Sequence, residues 1–154
     1  MLATPKKYTL VGATAEGGTR LNAFDHALLA AGVGNLNLLR VSSILPPGAE
    51  RTERLDVPPG ALLPIAYGSI ESDEPGELIA AAVAVGLATE EDGFGVIMEF
   101  SGRGSAREAE ARVRAMAEEA FATRGIPLRR VLTRSVEHRV VRVGCAFAAV
   151  ALWY

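Results

Sequence analysis

The sequence predicts an α+β fold, a four-layer αββα sandwich in which two packed β-sheets carry one helix on each outer face. Two observations lead to this prediction: two segments have the periodicity of amphipathic helices, and several strand segments are apolar on both faces. A strand that is apolar on both faces needs a packing layer on each side of its sheet. Neither a linker nor an internal repeat divides the 154 residues, so we expect one domain over 1–154.

The first helix is predicted over residues 21–31, and Gly32 supplies its stop. Its apolar stripe follows the helical spacing and comprises Leu21, Phe24, Leu28 and Ala31. Asp25 lies on the flank of this stripe, whereas His26 points away from it. On local sequence alone, Asp25 is best explained as a partly exposed surface carboxylate.

The second helix is predicted over residues 105–124. Ser105 is placed to act as its N-cap, and Glu108 follows three residues later, as in a capping box. Gly125 closes the helix. The predicted core stripe comprises Ala109, Val113, Met116, Ala120 and Phe121.

Strands are predicted over residues 8–11, 35–41, 62–70, 95–100, 128–138 and 140–152. Gly12 is expected to end the first of them. The run 78–85 is apolar throughout, so its period does not separate a buried strand from a buried helix.

Composition excludes several classes of partner. Sixteen Lys and Arg residues are interleaved with eighteen Asp and Glu residues for a net charge of −2, which argues against nucleic acid. No apolar segment has the length and the freedom from charge of a membrane span, and the start lacks the order of a secretory signal, so we expect a cytoplasmic protein. A single cysteine, Cys145, and two distant histidines predict neither a disulfide nor a metal site.

The pair Ser42-Ser43 stands between an extended apolar segment and the prolines Pro46 and Pro47. A serine hydroxyl at this position can attack the preceding carbonyl, giving an ester by an N-to-O acyl shift. Elimination then frees the Ser42 carboxylate and leaves dehydroalanine, which hydrolyses to a pyruvoyl group at Ser43. Such a ketone acts as an electron sink, which is work that an imported cofactor usually does. The alternative is an ordinary strand exit, because serine favours turns and proline cannot continue a ladder.

Two blocks of the sequence resemble the pyruvoyl-dependent arginine decarboxylase family. The first is Asn35-Leu36-Asn37-Leu38-Leu39-Arg40-Val41-Ser42-Ser43-Ile44-Leu45-Pro46-Pro47, preceded by Ala23-Phe24-Asp25-His26-Ala27-Leu28, and the second is Gly95-Val96-Ile97-Met98-Glu99-Phe100-Ser101-Gly102. The resemblance implies self-cleavage into residues 1–42 and 43–154, with a pyruvoyl cofactor made from Ser43 and neither a metal nor pyridoxal phosphate. It also implies the four-layer sandwich, favours a strand for 78–85, and implies a homotrimer or hexamer with active sites between subunits.

The resemblance assigns roles in the reaction to three groups. The substrate amine would form a Schiff base with the ketone derived from Ser43, and Glu99 would return a proton after carbon dioxide is lost. Asn37 would help to position the substrate or the pyruvoyl carbonyl. On local sequence alone, Glu99 is equally explained as a strand-end glutamate in water and Asn37 as a strand-edge amide.

A second set of residues would bind the substrate. The Asp25 carboxylate suits a guanidinium, whose paired donors it matches, and the resemblance implies that role. Leu28 and Ile44 would form apolar walls along the aliphatic chain. Backbone groups at Gly34, Leu36 and Ser42 would add further contacts.

The leading hypothesis is conversion of L-arginine to agmatine and carbon dioxide. Pyruvoyl-dependent histidine decarboxylases also use a Ser-Ser site, so the same cofactor acting on histidine or another amino acid stays open. A third reading, an oligomeric binding protein without enzymatic activity, would leave Ser42-Ser43 joined.

Overall fold

The computed structural model describes residues 2–154, and Met1, where the expected domain begins, lies outside the described residues. Its elements in chain order are β1 (Lys7–Glu16), α1 (Arg20–Ala30), β2 (Asn37–Arg40), β3 (Ile44–Leu45), β4 (Glu50–Arg51), β5 (Leu62–Ser72), β6 (Leu78–Ala88), β7 (Gly95–Arg103), α2 (Ala106–Arg124), β8 (Leu128–Arg139) and β9 (Gly144–Trp153).

The strands form two sheets. The five-stranded sheet has the order β2-β5-β9-β1-β4, and the four-stranded sheet has the order β3-β7-β6-β8. The pairs β1 with β4 and β2 with β5 are parallel, and the remaining pairs are antiparallel.

Alternate residues of the central strands face two different apolar layers, which confirms the predicted sandwich. In β6, Ile79, Val83 and Val85 lie in the core between the sheets, whereas Ala80 and Ala82 pack beneath α2. Strand β9 behaves in the same way, with one face in the inter-sheet core and the other beneath α1. The continuous apolar run 78–85 is therefore a strand that is covered on both faces.

Helix α1 packs on the five-stranded sheet with Phe24, Leu28 and Ala31 of the predicted stripe, but Leu21 lies outside this contact. Thr19 caps the helix, since its Oγ1 accepts from the Asn22 N–H over 3.1 Å. Ala23, Ala27 and Leu28 are buried against the five-stranded sheet, and Leu21 is 75% exposed. The placement of Leu21 in the core was wrong because the small alanine side chains allow the helix to approach the sheet closely along their own stripe.

Helix α2 follows its prediction more closely. The Ser105 Oγ accepts from the Glu108 N–H over 3.1 Å, and Gly125 closes the helix with a left-handed φ of 67°. Ala117 replaces the predicted Met116 on the fully buried face, and Met116 is half-buried.

Two strand ends differ most from the predictions. Strand β1 continues through Gly12 to Glu16 along its full pairing with β9. Strand β9 begins only at Gly144, because N–H groups just before it bond to a side chain instead of to a neighbouring strand. The Glu16 carboxylate accepts from the N–H groups of Arg142 over 2.8 Å and Val143 over 3.2 Å. The short strands β3 and β4 were not predicted, since two residues are too few to show a period. None of the helices in 2–154 is long and apolar enough to span a bilayer.

Candidate active site

Ser42 and Ser43 lie where the chain crosses from one sheet to the other, since β2 belongs to the five-stranded sheet and β3 to the four-stranded one. Before the crossing, the Val41 N–H donates to the Ile65 carbonyl over 3.0 Å. After it, the Ser43 carbonyl accepts from the Ile97 N–H over 2.7 Å. The two serines are therefore held between two fixed points, one on each sheet.

The peptide between the two serines is open to solvent on one side. Ser42 is exposed and Ser43 is half-buried. No non-glycine residue within 2–154 has a positive φ, so this peptide carries no left-handed strain. What distinguishes this peptide is therefore its position between the two sheets and the hydrogen bond that holds the Ser43 carbonyl.

Glu99 points into the layer between the two sheets. Ile97, two residues earlier on the same face of β7, belongs to the inter-sheet core, and Val83 lies opposite Glu99 on β6. Within the described chain, the Oε2 atom of Glu99 is buried and has no hydrogen-bond partner. Burial raises the pKa of the Glu99 carboxyl, and the positive charge of Arg40 partly opposes this rise. The surroundings thus favour a neutral carboxyl, the form that can donate a proton.

Arg40, at the end of β2, carries the positive charge that acts on this acid. Its Nη2 donates to the Tyr67 carbonyl over 2.6 Å, and its guanidinium carbon lies 4.2 Å from the centre of the Tyr67 ring. Neither Arg40 nor Tyr67 was among the predicted site residues. The available signal was an arginine two residues before Ser42, within an otherwise apolar extended segment.

Asp25 and Leu28 lie elsewhere in the same chain. Both are on α1, which packs on β1, β5 and β9 across the outer face of the five-stranded sheet. Asp25 is exposed, and Leu28 is buried against that sheet. Neither Ser43 nor Glu99 belongs to a strand that supports α1, so a single chain does not gather the predicted guanidinium site around the crossing.

The other predicted site residues are placed as follows. The Asn37 side chain is exposed, and its Nδ2 donates to the Gly60 carbonyl over 2.8 Å. Gly34 and Leu36 line a cavity of about 200 Å³ with Leu29, Leu55 and Pro59 among its other walls. Ile44 follows the scissile pair directly and is 42% exposed.

The donor groups around the crossing fit a cofactor made from the chain. Ser43 supplies the hydroxyl, the Ile97 N–H holds the Ser43 carbonyl, and Glu99 supplies an acid whose Oε2 has no partner in the described chain. Residues 2–154 contain no cluster of three or more His, Cys, Asp or Glu side chains arranged to hold a metal ion.

The family model for pyruvoyl-dependent arginine decarboxylase matches residues 7–154. This chain belongs to that family. The match confirms the resemblance carried by the Ser42-Ser43 block and by the block that contains Glu99, and it extends over both sheets and both helices.

Curated relatives in the family are similar along nearly their whole length. The chain is 52% identical to the pyruvoyl-dependent arginine decarboxylase of Methanocaldococcus jannaschii over 150 residues, covering 97% of this chain and 91% of that protein. It is 47% identical to the pyruvoyl-dependent arginine decarboxylase of Thermococcus kodakarensis over 152 residues, covering 98% and 96%. The protein of the same name from Pyrococcus abyssi is 46% identical over 153 residues, covering 97% and 96%.

Proposed function

We propose that this chain is a self-processing, pyruvoyl-dependent decarboxylase that converts L-arginine to agmatine and carbon dioxide. Its family and the names of its relatives support the reaction and the cofactor. The observation that carries the proposal is the crossing, where Ser42-Ser43 lies next to β7 and the half-buried acid Glu99, whose Oε2 is fully buried, belongs to that strand.

Self-cleavage begins with the Ser43 hydroxyl, which attacks the carbonyl of Ser42. The exposure of Ser42 leaves room for the ester to form, and the Ile97 N–H keeps the Ser43 carbonyl in the ladder of the four-stranded sheet throughout. The pieces 1–42 and 43–154 stay in one fold because β1 and β2 pair with β9 and β5 of the other piece.

The pyruvoyl group, once formed from Ser43, supplies an electron sink for decarboxylation. The chain itself does three things around it. The Ile97 N–H donates to the Ser43 carbonyl over 2.7 Å and fixes its orientation. Glu99 holds a proton in apolar surroundings and delivers it to the carbon that loses carbon dioxide. Asn37 positions the substrate or the pyruvoyl carbonyl. To do so, its amide gives up the hydrogen bond that it donates to the Gly60 carbonyl and bonds to the substrate or the ketone instead.

The far end of the substrate binds at Asp25, contributed by a second copy of the chain. Leu21 and Leu29 flank Asp25 one helical turn away on either side and are 75% and 48% exposed. Ile44, beside the crossing, is 42% exposed. Bringing these apolar surfaces together would place Asp25 near Ser43, with Leu28, Ile44 and the backbone of Gly34 and Leu36 along the aliphatic chain. The assembly is a homotrimer or a hexamer.

The remaining expectations concern partners. The substrate is a small molecule, an amino acid, as the family implies. Neither nucleic acid nor a membrane is a partner, and the net charge of −2 with mixed charges argues against nucleic acid. Cytoplasmic residence remains a prediction.

Incubation of the purified protein with L-arginine, followed by an assay for agmatine, tests the reaction. We expect agmatine and carbon dioxide in equal amounts, and competition between arginine and histidine should give almost only agmatine. Processed protein that makes histamine, or no amine at all, would overturn the choice of substrate. Light scattering on the same sample should give three or six protomers.

A further inference from the structure

We propose that Arg40 is a positioning residue whose fixed positive charge, held in place by Tyr67, governs the proton carried by Glu99. The inference rests on the proposed function, since it concerns the acid of that reaction. It assigns a role to a side chain that has no part in the cleavage and substrate contacts described above.

Arg40 is held by defined contacts with β5. Strand β2 ends at Arg40, opposite Ile65, so the next part of β5 has no β2 neighbour. There the Arg40 Nη2 donates a hydrogen bond to the Tyr67 carbonyl over 2.6 Å. The guanidinium carbon stacks over the Tyr67 ring, 4.2 Å from the ring centre. The ring is itself packed against Phe24 of α1 and Phe147 of β9 at centroid distances of 6.2 and 5.5 Å. An arginine held by a hydrogen bond and a packed ring presents its charge from a constant position.

Strands β5 and β7 are close together near Tyr67. An added Cβ on Gly68 would lie 2.9 Å from the Phe100 carbonyl oxygen, and the Ser101 hydroxyl donates to the Ser69 carbonyl over 3.0 Å. Tyr67, which holds Arg40, directly precedes Gly68 on β5, and Glu99 directly precedes Phe100 on β7, so this close approach brings the two segments next to each other.

The neighbouring strands bring small or apolar groups to Glu99. The residue opposite it on β6 is the apolar Val83, and β5 brings Gly68 to the contact with β7. Arg40 is the charged group that acts on the Glu99 carboxyl, and none of the four ion pairs within 2–154 involves either residue. Burial favours the neutral acid and Arg40 favours the carboxylate, so the two effects oppose each other.

This opposition matters for turnover. A carboxyl that is controlled by burial alone would bind its proton tightly and would donate it poorly. A guanidinium at a distance lowers the pKa of the Glu99 carboxyl less than a direct ion pair would. The carboxyl therefore releases its proton more easily but is not kept permanently ionised. Arg40 thus keeps Glu99 able both to carry a proton and to release it.

Infrared titration of Glu99 tests the coupling without requiring catalysis. The measurement is made on full-length Ser43→Ala protein, which cannot form the ketone, and the carboxylic-acid band is assigned by its loss in a Glu99→Gln companion. Arg40→Met should move the midpoint of this band to higher pH, whereas Arg40→Lys, which keeps the charge, should leave it close to the parent. Arg107→Met, which removes an exposed charge on α2, is the matched control and should leave the midpoint unchanged.

A midpoint that stays in place in Arg40→Met, or a shift in Arg40→Lys as large as in Arg40→Met, would overturn the proposal. In the Ser43-containing protein, the alkaline limb of the kcat profile should shift to higher pH in Arg40→Met, with a KM for arginine within about threefold of the parent. A KM that rises more than tenfold with an unchanged pH profile would instead make Arg40 a substrate contact. If the infrared band shifts but the parent makes no agmatine, the proposed function fails and the Arg40 coupling stands.

Discussion

Replacing Glu99 by glutamine removes the proposed proton donor and keeps nearly the same shape. The side chain lies in apolar surroundings with Oε2 buried and unpartnered, so a neutral amide of equal size should cause little rearrangement. Self-cleavage begins with the Ser43 hydroxyl rather than with Glu99, and we therefore expect the variant to be processed normally while its turnover is lost.

The size of the loss follows from the role. A positioned general acid contributes roughly 10²- to 10⁴-fold to rate, which corresponds to about 3–5 kcal/mol of transition-state stabilisation. Because the substrate would bind mainly through its guanidinium and its amine, the loss should fall on kcat, and KM should change only a few-fold.

The assay combines intact mass with initial rates of agmatine formation, and Glu118→Gln, an exposed position on α2, is the matched control. A Glu99→Gln variant that is fully processed and retains normal kcat would refute the assignment of Glu99 as the acid. A variant that remains uncleaved would refute the separation between processing and turnover.

The same substitution makes a prediction about stability and pH. Burial raises the pKa of Glu99 above its ordinary 4.5, so ionisation is disfavoured in the folded protein. The stability from the neutral acid is complete below pH 4.5 and is lost as the pH rises through the folded value. At higher pH, Glu99→Gln should therefore be more stable than the parent, by about 1 kcal/mol or about 2–4 °C in Tm. Equal Tm values at alkaline pH would contradict the burial argument.

Two further predictions concern the substrate and the contact between the sheets. Asp25→Asn should raise the KM for arginine roughly 10- to 100-fold, because the guanidinium loses a charged partner, while the exposed Asp92→Asn control stays unchanged; an unaltered KM would remove Asp25 from the site. Gly68→Ala should lower the unfolding free energy by about 1–3 kcal/mol, because its Cβ would meet the Phe100 carbonyl at 2.9 Å. Gly18→Ala has open space and is the control; thermal denaturation with equal losses in both would contradict the close approach.

The fold could be predicted from the sequence because its patterns are strong. Apolar runs such as 78–85 require cover on both faces, and Ser105 and Gly125 mark the ends of α2 by their own chemistry. The errors arose where the pattern is ambiguous. Leu21 fits a helical stripe as well as Ala23 does, and only the tertiary contact decides which of them is buried.

The candidate site could be predicted as a set of side chains but not as an arrangement. The Ser42-Ser43 pair and Glu99 were chosen for their chemistry, and the structure shows that the first lies at a crossing and the second in the inter-sheet layer. The contacts of Arg40 depend on where β2 stops pairing with β5. The alternation of apolar and polar residues along β2 does not predict that point. Asp25 lies on an outer surface, so the proposed contact between Asp25 and the Ser43 site would require a second copy of the chain.

The most direct test of the central claim is the intact mass of the freshly purified protein under denaturing conditions. We predict two polypeptides, residues 1–42 with a free carboxylate and residues 43–154 with a pyruvoyl group in place of the Ser43 amine. The Ser43→Ala variant should give one uncut chain. A single chain of 154 residues with an ordinary serine at position 43, persisting on prolonged incubation, would contradict the account.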